Sequence, residues 1–133
     1  MGRAGDAFPY APAHHTYVME GVRNRLNGNG QGLLTHGIGE IKPMVGDMLW
    51  KGRHETAGWT FDDLKCYAGN SDKPFRSHCD IVVDVDEAGG TLFVIGGNVR
   101  NRVLRLTVPL DADGRADSEI YTVLVTMEDE RRS

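Results

Sequence analysis

The stretch Ser77-His78-Cys79-Asp80-Ile81-Val82-Val83 carries the clearest strand signal in the chain. β-Branched residues follow a polar start, which predicts a buried strand over residues 79–85 with His78 at its mouth. Three further segments toward the C-terminus are rich in Val, Ile, Leu and Thr and are separated by Gly- and Asp-containing turns: residues 91–96, 102–108 and 119–127. Short connections between strands predict antiparallel neighbours.

Helical signals lie on the N-terminal side of that stretch. Tyr17, Val18, Val22 and Leu26 form a loose apolar stripe at helical spacing, which predicts a helix over residues 13–26. The remaining predictions are a long glycine-rich loop over residues 27–43, a strand over 45–51 and a short helix over 60–65 with Thr60 as its N-cap. A helix followed by a strand meander predicts an α+β fold.

Length and charge favour one ordinary globular domain over residues 1–133. The chain has 133 residues, a net charge of −4 and 26% charged residues of both signs. The absence of a basic stripe argues against nucleic-acid binding, and no apolar run is long enough to span a bilayer. No secretory signal is recognised at Met1, and the compartment stays unknown.

His78 is the first candidate for chemistry. A histidine at the mouth of a buried strand has one side in a low dielectric and the other toward a cleft, a setting that suits a general base. A hydrogen-bonded structural histidine is the alternative. Asn98, in Gly96-Gly97-Asn98, could orient an imidazole ring or could simply belong to a hairpin turn.

The cysteines and the other histidines offer weaker candidates. Cys79 should point to the opposite face of the strand from His78, and Cys66 lies near a helix C-terminus, which disfavours a thiolate. His14 and His15 are adjacent and cannot share a metal ion on a helix. We therefore predict no metal site and no cofactor.

Five segments taken together resemble a known group of proteins. They are Ala4-Gly5-Asp6-Ala7-Phe8-Pro9-Tyr10, Ala13-His14-His15-Thr16-Tyr17, Val45-Gly46-Asp47-Met48-Leu49, Ser77-His78-Cys79-Asp80-Ile81-Val82-Val83 and Val94-Ile95-Gly96-Gly97-Asn98-Val99. The combination resembles a bacterial domain family of unknown function that is similar to the NlpC-type and CHAP papain-like amidases. The resemblance covers about residues 4 to 126.

The resemblance implies a papain-like fold, with an N-terminal helix packed on an antiparallel, partly barrelled sheet. It also implies that His78 is the general base and that Asn98 orients it. The amidases carry their nucleophile at the start of a helix that should precede Met1, so the domain is expected to lack this helix, and no Ser or Cys in the chain matches it.

Two functions from different classes remain open. The first is a hydrolase domain that cleaves amide bonds of cell-wall peptides such as peptidoglycan, with Tyr10 and Arg53 lining the cleft from their loop positions. The second is a non-catalytic binding module that keeps the fold without the nucleophile. A missing helix would expose an apolar face, which predicts a homo-oligomer.

Overall fold

The computed structural model describes residues 11–28, 32–71, 73, 75–99 and 102–127; for residues 11–14, 97–99 and 102–104 only the backbone is described. These residues contain two α-helices, α1 (Ala11–Leu26) and α2 (Phe61–Ala68), and six strands: β1 (Leu33–Gly37), β2 (Met48–Gly52), β3 (Ser77–Asp86), β4 (Thr91–Val99), β5 (Arg102–Pro109) and β6 (Val123–Met127). Neither described helix is long and apolar enough to cross a membrane.

The six strands form one antiparallel sheet in the order β1-β6-β2-β3-β4-β5. β1 and β5 are its edges, so the sheet is not closed. The predicted α+β class, with an N-terminal helix and an antiparallel sheet, is confirmed. The β3-β4-β5 meander follows from the short turns, whereas β6 inserts between β1 and β2 and pairs with both.

Hydrophobic residues form a core on each face of the sheet. The helix-covered core joins Val18 and Val22 of α1 to Leu64 of α2 and to Trp50 and Cys79 of the sheet. The second core, on the other face, contains residues from the strands and from the segment before β6: Leu49, Val82, Leu92, Val94, Val108, Ala116, Tyr121 and Leu124. Each fully buried Val or Leu contributes about 1.5–3 kcal/mol through the hydrophobic effect.

Helix α1 approaches β1 closely at Gly21. A Cβ atom on Gly21 would lie 2.7 Å from the backbone nitrogen of Thr35, a separation that real Cβ atoms do not show. The buried Thr35 hydroxyl donates to the carbonyl oxygen of Val18 at 2.8 Å. Leu26, the last residue of the apolar stripe from which the helix was predicted, is by contrast 53% exposed. The buried face of α1 instead runs through Val18, Met19 and Val22.

Two sequence predictions need correction. Residues 27–43 are not a loop throughout, because Leu33–Gly37 forms β1 and pairs with β6. This strand depends on a partner about ninety residues further along the chain, which local composition does not reveal. The second correction concerns Asn98, which lies within β4 rather than in a hairpin turn, because β4 continues to Val99 and pairs there with Arg102.

Strand limits also shift by a few residues. β3 begins at Ser77, so His78 lies inside the strand rather than just before it. β2 begins at Met48 and β6 at Val123, later than predicted. The short helix was predicted correctly: Thr60 caps α2 by accepting a hydrogen bond from the Asp63 backbone, and the Asp63 side chain reaches back to the Thr60 backbone.

Candidate functional site

His78 and Asp80 lie on the same face of β3 because side chains alternate along a strand and these two residues are two positions apart. Nε2 of His78 is 2.6 Å from Oδ1 of Asp80. The Asp80 side chain is 1% exposed and the His78 side chain 18% exposed. The arrangement therefore pairs a buried carboxylate with an imidazole that reaches solvent.

A hydrogen bond holds the Asp80 carboxylate at its other oxygen. The Tyr121 hydroxyl, buried in the second core, donates to Oδ2 of Asp80. On β2, Lys51 is directly opposite His78 in the register, and its ammonium group is 5.5 Å from the centroid of the Tyr121 ring. Tyr121 thus holds Oδ2 of Asp80 by a hydrogen bond, Oδ1 lies in ion-pair contact with His78, and the Lys51 ammonium group is nearby.

Gly96 on β4 makes room for this pair. Its Cα is the register partner of Asp80, and a Cβ there would lie 2.8 Å from Oδ1 of Asp80 and 3.7 Å from Nε2 of His78. A glycine inside a strand often marks a place where another group approaches closely. Here the approaching group is the Asp80 carboxylate.

The surroundings of Asp80 keep it ionised. Burial by itself raises the pKa of Asp80, but the close contact with His78, the hydrogen bond from Tyr121 and the positive charge of Lys51 outweigh it, so the pKa is lowered overall. Burial also raises the pKa of Tyr121, and its hydrogen bond to the Asp80 carboxylate raises it further. Tyr121 therefore stays a protonated donor.

The short contact between His78 and Asp80 assigns the histidine tautomer. An ionised carboxylate can only accept, and at a separation of 2.6 Å two acceptor atoms would repel each other, so the proton of His78 is assigned to Nε2. In a neutral imidazole the lone pair then lies on Nδ1. Such a ring can take up a proton at Nδ1, while the carboxylate stabilises the positive charge that results.

Asp80 was missed as a site residue. Its signal was present in the sequence, because i and i+2 positions share a strand face and Asp80 interrupts an otherwise apolar run. Only the backbone of Asn98 is described, so its orienting role stays a prediction. Tyr10 lies outside the described residues. Arg53 is exposed just beyond β2, and its backbone nitrogen donates to the carbonyl oxygen of Arg76 at 3.4 Å.

Neither cysteine lies with His78. Cys79 points into the helix-covered core, and burial followed by the nearby Asp80 charge raises the pKa of its thiol. Cys66 is exposed on α2, which packs against the helix-covered face. Among the described residues, no group of three or more His, Cys, Asp or Glu side chains is arranged to hold a metal ion.

A cavity of about 940 Å³ lies elsewhere on the sheet and does not include the His78–Asp80 pair. It lies beside β1 and β6 and is lined in part by Val45 and Met127, which are 50% and 56% exposed. The predicted self-association stays a prediction.

The whole chain corresponds to one family. A profile described as an uncharacterized protein conserved in bacteria, DUF2272, matches residues 1–132. The chain belongs to the DUF2272 family. The predicted membership of a bacterial domain family of unknown function is therefore confirmed. No curated protein and no solved structure matches this DUF2272 chain.

Proposed function

We propose that this chain supplies the general-base part of a papain-like hydrolase site that cleaves amide bonds in cell-wall peptides. The observation that supports it best is the 2.6 Å contact between Nε2 of His78 and Oδ1 of the buried Asp80. A base oriented by a third group is the arrangement that nucleophilic hydrolases need. Asp80 takes the orienting role on the same strand as the base.

In the proposed reaction, Nδ1 of His78 accepts the proton of an attacking hydroxyl or thiol and later gives it to the leaving amine. Asp80 holds the ring and stabilises the imidazolium without accepting the proton itself. Gly96 and Tyr121 keep the carboxylate in place. In this reaction His78 activates a nucleophile that is neither of the two cysteines of the chain.

A second candidate is a binding module without turnover. It is favoured by one observation: Cys79 is buried on the other face and Cys66 lies on α2, so neither thiol accompanies His78. This candidate predicts binding of peptidoglycan fragments without hydrolysis and no covalent adduct with serine- or cysteine-directed probes at the His78 face. A covalent adduct there would exclude it.

The deciding experiment measures release of peptides from peptidoglycan. The chain is expressed as given and with any in-frame residues encoded upstream of Met1. In whichever form is active, His78→Ala should lower the rate by at least about 100-fold, the usual contribution of a general base. Asp80→Asn should lower it by at least about tenfold, because it permits the wrong tautomer.

Two matched variants control for unspecific effects. Asp84→Asn makes the same change at an exposed position further along β3. His54→Asn removes an exposed histidine, and Asn tolerates the left-handed backbone there, φ 53°. Both should keep full activity. Equal activity of the starting protein and His78→Ala would contradict the proposal.

A further inference from the structure

A second, smaller cavity lies on the helix-covered side, away from His78 and Asp80. It has a volume of about 400 Å³ and is bounded by one face of α1 together with the C-terminal part of α2 and the segment after it. The charged and aromatic residues of its lining are His15, Glu20, Arg23, Tyr67 and Lys73. Volumes of this order hold small organic molecules.

The lining carries an excess of positive charge. Arg23 and Lys73 both line the cavity, and neither forms an ion pair with another residue in the part of the chain that the structure describes. Glu20 is the one acidic group in the lining. Arg and Lys side chains that converge on one cavity favour an oxyanion, because both donate charge-assisted hydrogen bonds.

Two aromatic residues shape the cavity walls. The His15 ring packs edge-on against Phe75, with centroids 5.6 Å apart, and its Nδ1 is buried without a hydrogen-bond partner among the described residues. The Tyr67 hydroxyl donates to the carbonyl oxygen of Lys73 at 2.7 Å, which holds that residue at the rim. The buried Met19 adds an apolar surface.

We propose that this cavity binds a small organic anion whose carboxylate or phosphate group contacts Arg23 and Lys73. The apolar body of the ligand would pack against Met19 and Tyr67. A buried polar atom without a partner is unfavourable, and a ligand that hydrogen-bonds to Nδ1 of His15 would relieve this. The site is independent of the His78–Asp80 pair, which occupies the other face of the sheet.

Titration of the ¹⁵N-labelled full chain tests this site by NMR. The probes are benzoate and phenyl phosphate, with benzamide as the uncharged counterpart of benzoate. We expect saturable shifts of the α1 and Lys73 amide signals with at least one of the two anions, at dissociation constants on the order of millimolar. Whichever anion binds more tightly identifies the preferred group.

Charge variants give effects of opposite sign. Arg23→Gln/Lys73→Gln should weaken binding by about tenfold or more, and Glu20→Gln should tighten it about threefold, because it removes a repulsive charge. The control Arg76→Gln/Arg105→Gln removes the same net charge elsewhere and should bind as the unaltered chain does. In the ligand titrations, the proposal is overturned if neither anion reaches saturation by about 20 mM or if benzamide binds as tightly as benzoate. Among the variants, it is overturned if Arg76→Gln/Arg105→Gln weakens anion binding as much as Arg23→Gln/Lys73→Gln does, or if Glu20→Gln weakens anion binding.

Discussion

Nε2 of His78 lies 2.6 Å from Oδ1 of Asp80, two positions further along the same strand, and this contact joins an imidazole at the surface to a carboxylate in the core. The pKa of the carboxyl group is lowered although the group is buried, because Tyr121 donates a hydrogen bond to it and His78 lies against it. The pair links the stability of the fold to the chemistry of the proposed site.

Acid should remove the stability that Asp80 provides. Its pKa is lowered in the folded state, so its contribution is complete above the unfolded value of about 3.9 and is lost as the pH falls through the folded value. At pH 7 Asp80→Asn should lower the free energy of unfolding by about 1.5–3 kcal/mol. Urea unfolding at a series of pH values should show this difference shrinking toward acid; a difference independent of pH would contradict the ionised state.

Gly96→Ala should disturb the same pair. A Cβ at this position would lie 2.8 Å from Oδ1 of Asp80, and overpacking of this kind costs about 1–3 kcal/mol. Gly39→Ala is the matched control, since nothing lies within 4 Å of a Cβ there. Thermal unfolding of the two variants tests the prediction. Equal stability would show that β4 leaves more room than the structure gives.

In Gly21→Ala, higher helix propensity and poorer packing change the free energy of unfolding in opposite directions. Propensity alone would stabilise α1 by about 0.5–1 kcal/mol. The new methyl group, however, would meet the backbone of Thr35, 2.7 Å away, which a flexible side-chain movement cannot relieve. We expect net destabilisation by at least about 1 kcal/mol in urea unfolding. A more stable variant would mean that α1 can move away from β1.

The two thiols should differ sharply in reactivity. Cys66 is exposed, whereas Cys79 is buried and its pKa is raised, so at neutral pH its thiolate is scarce. Iodoacetamide should modify one thiol per folded chain quickly, and the second only in denaturant. The Cys66→Ser variant should then lose the fast reaction. Fast labelling of Cys79 in the folded protein would contradict its position in the helix-covered core.

Local sequence signals predicted most of the helices and strands, but not the order in which the strands pair in the sheet. The capping pattern at Thr60 and the turn between β3 and β4 act between near neighbours, and both were predicted from the sequence. β1 was missed because Leu33–Gly37 becomes a strand only by pairing with β6, far along the chain. The insertion of β6 between β1 and β2 is equally non-local.

The arrangement of the candidate site could be predicted only in part, for a similar reason. His78 was predicted as a candidate from its place beside an apolar run. The role of Gly96 as space for the Asp80 carboxylate depends on the register between β3 and β4, and the Tyr121 contact joins residues 41 positions apart. Neither can be obtained from local spacing. Asp80 itself could have been found by applying strand alternation to the residues after His78.

The tautomer of His78 is the most direct test of whether Asp80 orients the imidazole. Long-range ¹H–¹⁵N correlation spectra of the labelled chain, recorded where the imidazole is neutral, report which ring nitrogen carries the proton. Orientation by Asp80 predicts a proton on Nε2 and a lone pair on Nδ1, and a loss of this preference in Asp80→Asn. A proton on Nδ1 in the unaltered chain would contradict the proposed base.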